Sequence, residues 1–412
     1  MFSKAAAVFL IFSFLPLLCI AQYTDIQKDI DEYRKGTIII NAKPGDKIEI
    51  EQLSHEFWFG AAISNSLANK SWSKKDKAAY KEKFLENFNS AVTENAVKWS
   101  NMEREQGKVN YETVDGILEW TDQNNIPLRA HNIFWGIHKF VQPWLKALDD
   151  TTLEETLKNR ALTLAARYKG RFVEYDLNNE MIHGNYYEER LGQDITLKMT
   201  KWVHEADPEA KLWLNDYDIL TGNKLAEYMA QIRTFLEQGV PIAGIGVQGH
   251  LHSETFDPLV LKSSLDSLSK FNLPVRITEF NMPGQRSMYV DNKIDKLTPE
   301  QELQKAANLV DYYTICFANP NVTGILQWGF WEGATWIPAS AMYRKDWSPT
   351  PAVEEYQKLI FKEWWTTTTS VADEKGMATI PAYFGKYKLT VNGQEKEVYL
   401  SKADGQMIAD FR

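Results

Sequence analysis

From Phe57 onward the chain repeats one pattern: a short apolar run of strand length, then a longer stretch whose apolar residues recur every three or four positions. Runs near Phe57–Ile63, Ala91–Trp99, Leu128–Trp135, Phe172–Glu180, Leu212–Asp216, Gly244–His250, Val275–Glu279 and Gly324–Trp331 predict eight strands. Apolar segments of that length suit parallel strands covered on both faces. Helical periodicity predicts the elements between them, over Lys74–Asn89, Tyr111–Asn124, Thr152–Tyr168, Leu191–Glu205, Leu225–Glu237, Leu259–Phe271 and Pro299–Ala318. Eight strand-helix units over roughly 300 residues predict a (β/α)8 TIM barrel. A doubly wound sheet is disfavoured, because no Gly-rich phosphate turn follows a strand and polar residues close several strands.

The two ends depart from this pattern. After a polar lead, Thr37–Asn41 and Lys47–Gln52 alternate on either side of Pro44-Gly45, which predicts a β-hairpin. Beyond a last helix at Pro351–Trp365, the polar stretch Thr366–Val371 acts as a breaker. Tyr383–Val391, Asn392-Gly393 and Lys396–Leu400 then predict a second hairpin. Neither hairpin is large enough to bury a core alone, so the two are expected to share a sheet or sandwich. The first residues combine Lys4, an apolar run to Ile20 and the small Ala21 before polar sequence, the pattern of a secretory signal peptide. The expected organisation is a signal peptide at 1–22, an N-terminal hairpin segment at 23–54, a catalytic barrel at 55–365 and a C-terminal β extension at 366–412. The mature chain is expected to be secreted, extracellular or periplasmic, with no membrane attachment after cleavage. Cys316 would be its one cysteine, so no internal disulfide is available.

A net charge of −9 and a pI near 5.5 argue against a nucleic-acid partner. Fourteen Trp and eighteen Tyr add flat aromatic faces that suit the apolar faces of sugar rings, although most are expected in the core. The candidate chemistry sits at two strand ends. Arg171-Phe-Val-Glu-Tyr-Asp-Leu-Asn-Asn-Glu180 runs into a carboxylate, and so does Leu273-Pro-Val-Arg-Ile-Thr-Glu279. They close the fourth and seventh strands, roughly opposite one another around the ring. Paired carboxylates are what glycosidic bond hydrolysis needs: one acid to protonate the leaving oxygen, one carboxylate to attack the anomeric carbon or activate water. His250 and His252 form a His-x-His, but no further ligand pair at suitable spacing supports zinc. No metal and no cofactor are expected.

Six motifs in order make the pattern specific: Glu94-Asn-Ala-Val-Lys98-Trp, Arg129-Ala-His131-Asn-Ile-Phe-Trp135, Asp176-Leu-Asn-Asn179-Glu180, Gly246-Val-Gln248-Gly-His250, Ile277-Thr-Glu279-Phe and Trp328-Gly-Phe-Trp-Glu-Gly-Ala-Thr-Trp336. Together, over about His55 to Trp365, they resemble glycoside hydrolase family 10, the endo-β-1,4-xylanases, in a plant-type arrangement. The resemblance implies that Glu180 is the acid/base and Glu279 the nucleophile of a retaining mechanism. It places Asn179 on the sugar 2-hydroxyl and His250 beside the nucleophile. Glu94, Asn95 and Lys98 would bind a neighbouring sugar, Gln248 the reactive one, and His131 and Trp135 would add contacts. Trp328 and Trp336 would form an aromatic platform, with Trp331 divided evenly between platform and core. The resemblance also implies a cis peptide between His131 and Asn132. The partner is xylan or a related cell-wall polysaccharide, and a monomer is expected. A glucan- or mannan-cleaving relative, or a barrel that binds carbohydrate without cutting it, are the alternatives. The family pattern usually has His where Gly136 stands and Gln where His138 stands, so open space and weaker selectivity against glucans are expected there.

Overall fold

The computed structural model describes residues 15–294 and 296–412, with side chains from residue 25 onward. The signal-peptide reading of 1–22 therefore lies outside the described residues, apart from the backbone of 15–22. The expected polar lead is instead the second half of a helix, Leu15–Arg34. Ile26 and Ile30, four residues apart, pack one face of it on the barrel core. Arg34, four further on, is buried and donates to the carbonyl oxygens of Phe317, Asn319 and Val322. The first two lie at or just past the end of the helix Pro299–Ala318, where carbonyls have no intrahelical partner and a cation is favoured.

Two strands, β1 (Lys35–Asn41) and β2 (Lys47–His55), lead into the barrel. The barrel comprises β3 (Trp58–Ile63), β4 (Ser90–Thr93), β5 (Leu128–Ala130), β6 (Phe134–Trp135), β7 (Glu174–Asn179), β8 (Leu212–Asp216), β9 (Gly244–Val247), β10 (Val275–Phe280) and β11 (Val322–Gln327). The hydrogen-bonded order β5-β4-β3-β11-β10-β9-β8-β7-β6 closes because β5 also pairs with β7. Together β5 and β6 make up the third of eight parallel strands, so the fold is the expected (β/α)8 barrel. The second and eighth strands end earlier than expected, at Thr93 and Gln327. Glu94–Lys98 and Trp328–Trp331 leave the sheet and become loops at its C-terminal end. The helix Pro299–Ala318 has the expected bounds, started by a capping box between Thr298 and Gln301.

Past the last barrel helix come β12 (Thr367–Val371), β13 (Met377–Tyr383), β14 (Gly385–Val391), β15 (Gln394–Leu400) and β16 (Gln406–Asp410). The expected polar breaker is thus a strand: its β-branched threonines pair antiparallel with β2. The expected N-terminal hairpin does not form either. β1 lies between β13 and β16, while β2 lies between β12 and β14 in a second sheet. Backbone bonds explain the split, since the 42–46 turn is tied to the 372–376 turn by Gly45 N to Ala372 O and Ala372 N to Asp46 O. A lone hairpin would leave the buried face of each strand uncovered. Here Ile38 and Ile40 of one sheet share a core with Ile48, Ile50 and Leu389 of the other. The expected hairpin β14–β15 does form around Asn392-Gly393. At Gly385, where the chain crosses between sheets, a Cβ would meet the Ser54 carbonyl oxygen at 1.9 Å, so only glycine fits.

The N- and C-terminal segments therefore complete one sandwich. Deleting 366–412 would expose four isoleucines whose burial contributes roughly 1.5–3 kcal/mol each. The truncated chain is expected to be insoluble, or to melt at least ~10 °C lower by differential scanning calorimetry. An unchanged melting temperature would show a separable module instead.

Candidate active site

The C-terminal ends of the barrel strands surround a cleft of about 530 Å3. Lys98, His131, Trp135, Glu180, Gln248, His250, Glu279, Trp328 and Trp336 all line it. Strands β7 and β10 position the two glutamates. Along β7 the residues Glu174, Asp176 and Asn178 alternate with Tyr175 and Leu177, which join the main apolar core. Asn179 ends the strand, and Glu180 takes a left-handed backbone conformation, φ 61°, unusual for a residue with a side chain. Its carboxylate accepts from Trp135 Nε1 at 2.9 Å and Gln248 Nε2 at 2.8 Å. Just beyond, Asp216 holds the Ile182 N–H and His183, fixing the turn that carries Glu180. Burial pushes the Asp216 carboxyl up to about 6, and those hydrogen bonds oppose the rise.

Glu279 is buried among hydrogen-bond donors and basic side chains. Asn215 Nδ2 donates to Oε1 at 3.0 Å, His250 Nε2 meets Oε2 at 3.1 Å, and His131 Nδ1 is 3.8 Å from Oε1. Burial alone would raise its pKa. The charges of His131, His250 and Lys98, with the His250 hydrogen bond, outweigh burial and hold it down at about 2. The supporting residues are themselves fixed. His250 Nδ1 pairs with Asn281, and His131 Nδ1 with Asp176 at 2.8 Å. The peptide between His131 and Asn132 is cis, as expected.

The other three expected residues stand just behind the cleft wall. Asn95 accepts from Lys98 Nζ at 2.9 Å, and Glu94 has its carboxyl pKa raised by burial, which Lys98 and Asn95 partly oppose. Asn179 Oδ1 accepts from Asn215 at 2.9 Å, leaving its buried Nδ2 without a protein partner. Trp336 is 52% exposed and Trp328 is buried, each with its ring edge-on to His250. Trp331 belongs to the core, stacked on Trp347. His250 and His252 diverge, the latter beside Asp218 and Arg286. Among the described residues, no group of three His, Cys, Asp or Glu is placed to hold a metal.

Sequence reasoning missed Asn215, Tyr217, Phe140 and Arg286; the last three line the cleft. Asn215 was the findable one, since it sits at the polar end of β8 as Glu180 follows β7. The open space expected at Gly136 is absent. A Cβ there would meet Asn185 Oδ1 at 3.2 Å, with Tyr186 N and Tyr187 Cδ2 at 3.3 Å. His138 turns away from the cleft to pair with Glu189 at 2.6 Å. The wall is filled instead by Phe140, stacked on Trp135 at 3.8 Å between ring centroids.

Fold and site define the class: a (β/α)8 barrel that presents two glutamates in one cleft, as glycoside hydrolases do. The chain belongs to glycosyl hydrolase family 10, whose model matches residues 50–359. Over 387 residues it is 32% identical to endo-1,4-beta-xylanase 1 of Arabidopsis thaliana, covering 91% of this chain and 38% of that one. It is also 32% identical to anti-sigma-I factor RsgI6 of Acetivibrio thermocellus, covering 93% of this chain and 49% of that protein. The chain thus spans less than half the length of both relatives. Native xylanase 10B from Thermotoga maritima shares the fold at TM-score 0.66 and 23% identity, over 75% of this chain and 96% of its own. Xylanase 10B from Thermotoga petrophila, solved with xylobiose, matches at TM-score 0.66 and 24% identity, over 75% and 95%.

Two outcomes are expected. A carboxylate whose folded pKa lies below its unfolded value adds stability above about pH 4.5, and that stability is lost as pH falls towards 2. The full effect is on the order of 3 kcal/mol. Melting curves should therefore fall more steeply between pH 5 and 2.5 for the wild type than for Glu279→Gln, and parallel curves would contradict the charged surroundings described. Gly136→His should lower the melting temperature by several degrees, because the imidazole meets the 185–187 segment. A stable variant with a raised xylobioside-to-cellobioside ratio of kcat/KM would mean that the side chain reaches the cleft after all.

Proposed function

We propose that the chain is an exported, retaining endo-β-1,4-xylanase in which Glu279 is the nucleophile and Glu180 the acid/base. The observation that carries this reading is the unequal setting of the two glutamates. Glu279 is surrounded by hydrogen-bond donors and basic side chains that hold its pKa down, while Glu180 faces the same cleft with two neutral N–H groups as its hydrogen-bond donors. In the first step the Glu279 carboxylate attacks the anomeric carbon as Glu180 passes a proton to the leaving oxygen. In the second, Glu180 takes a proton from water, and the water displaces Glu279 from the glycosyl-enzyme. The orphaned Asn179 amide suits the sugar 2-hydroxyl, a contact that strengthens in the transition state. Xylan as substrate is supported by the xylanase relatives and by the xylobiose complex of a structural neighbour. Export is supported by the sequence pattern of residues 1–22.

A second reading is a barrel that binds polysaccharide without cutting it; one relative is named as an anti-sigma factor, not as a hydrolase. Retention of Glu180, Glu279 and Asn179 favours turnover. Reducing-sugar release from xylan, cellulose and mannan separates the readings, with xylan expected to respond first. Glu279→Gln should lose activity by at least ~10^4-fold. Glu180→Ala should lose far less on an aryl xylobioside whose leaving group needs no protonation. A 2-fluoro aryl xylobioside should leave a covalent adduct, found by peptide mass mapping on Glu279. An adduct on another residue, or equal losses in the two variants, would overturn the assigned roles.

A further inference from the structure

A cavity of about 610 Å3 opens at the other end of the barrel from the cleft. It lies between the N-terminal ends of the barrel strands and the sandwich, where β2 runs into β3, and its size falls within the roughly 300–1,000 Å3 typical of ligand sites. Trp58 at the start of β3 contributes to its floor, and Trp365 after the last barrel helix to one wall. Three large side chains on its rim are uncovered: Leu53 of β2 is 37% exposed, Leu85 of the helix Lys74–Asn87 is 47% exposed, and Tyr399 of β15 is 53% exposed. Scattered apolar side chains on a surface are ordinary, whereas several converging from three elements on one groove mark a binding surface.

The charges in this groove are already engaged. Lys386 pairs with Glu397 and Glu86 with Lys83, while Glu56 accepts the backbone N–H of Lys402 and is attracted by the charges of Lys402 and Arg34. Aromatic faces, amide side chains such as Asn125, and no free charge suit a neutral, hydroxyl-rich ring better than an anion or a charged peptide. We propose that this groove is a second, non-catalytic site for a neutral β-1,4-linked glycan, a stretch of xylan; the choice of xylan rests on the function proposed above. The length of β3 alone separates groove and cleft by roughly 20 Å. A chain held in the groove is therefore not the one being cut, and the site anchors the enzyme to insoluble substrate.

The test uses the full chain, insoluble debranched xylan in the cold and excess xylobiose to occupy the cleft. Tyr399→Ala and Leu85→Asp, each checked for an unchanged melting temperature, should weaken binding about fivefold. Tyr399→Phe should retain most of it. The kcat/KM on aryl xylobioside should stay at the wild-type value in all three, and because that assay reports the cleft alone, failure of the proposed function would be seen separately from failure of the groove. Unchanged binding in both Tyr399→Ala and Leu85→Asp would overturn the proposal. So would a loss confined to cellulose, which would remove xylan as the ligand.

Discussion

The fully buried guanidinium of Arg129, inside the barrel beneath the cleft, sets a constraint on everything above it. An unpaired charge at that depth would be strongly destabilising, and one arginine on β5 has to find its partners on other strands. It finds Glu174 at 2.5 Å and Asp176, both on β7, while Arg276 of β10 approaches Glu174 at 3.2 Å. Two cations and two anions balance. A one-residue slip of β7 would turn both carboxylates out of the barrel and leave the arginines unpaired, so the lattice fixes register for the strand that delivers Glu180. Asp176 also orients His131, and His131 faces Glu279. The ionic interior of one side of the barrel is therefore continuous with the field that lowers the Glu279 pKa. On the other side, Ala62, Val92, Leu326 and Trp328 form a small apolar cluster. The buried ion pairs lie among β5, β7 and β10.

The opposite end of the barrel meets a different demand. Its first strand is a direct continuation of β2, so the sandwich cannot move without moving the entry to the barrel. His55, at this junction, is buried and meets the Ile360 carbonyl oxygen. Burial lowers its pKa to about 4, and the bond to that carbonyl opposes the fall, so the ring is neutral under ordinary conditions. Arg34 closes the same end from the helical side by satisfying the Phe317 and Asn319 carbonyls at the end of the helix Pro299–Ala318. Chemistry at one mouth and tethering at the other follow the usual division of labour in this fold.

Much of this was legible because local signals agreed with the global fold. Glu180 and Glu279 stood at the polar ends of apolar runs, and the helical period over Pro299–Ala318 marked a helix whose bounds the structure keeps. What could not be read depended on partners distant in sequence. Nothing around Arg129 names Glu174, 45 positions on. β12 looked like a breaker because its threonines are polar, although their branched side chains suit a strand once β2 is beside them. The Thr37–Gln52 alternation revealed two strands correctly but not which neighbours they would choose, since the C-terminal strands that separate them lie more than three hundred residues away. The helix before Arg34 was hidden by its charged exposed face; among the side chains described, Ile26 and Ile30 carry the period.

The loop after the third strand is spent on docking and not on lining open space beside the cleft. The resemblance leads to an expectation of open space beside the cleft at Gly136 and His138. Here Gly136 accepts the Tyr186 N–H at 2.8 Å, and His138 is drawn to Glu189, so both are spent on docking the loop against the 185–191 segment. Docking it there brings Phe140 onto Trp135, with Lys139 over the Phe140 ring. Trp135 is the same side chain whose Nε1 holds Glu180. The loop thus places an aromatic brace on a residue that positions the proposed acid, and the orientation of Glu180 becomes coupled to the packing of this loop.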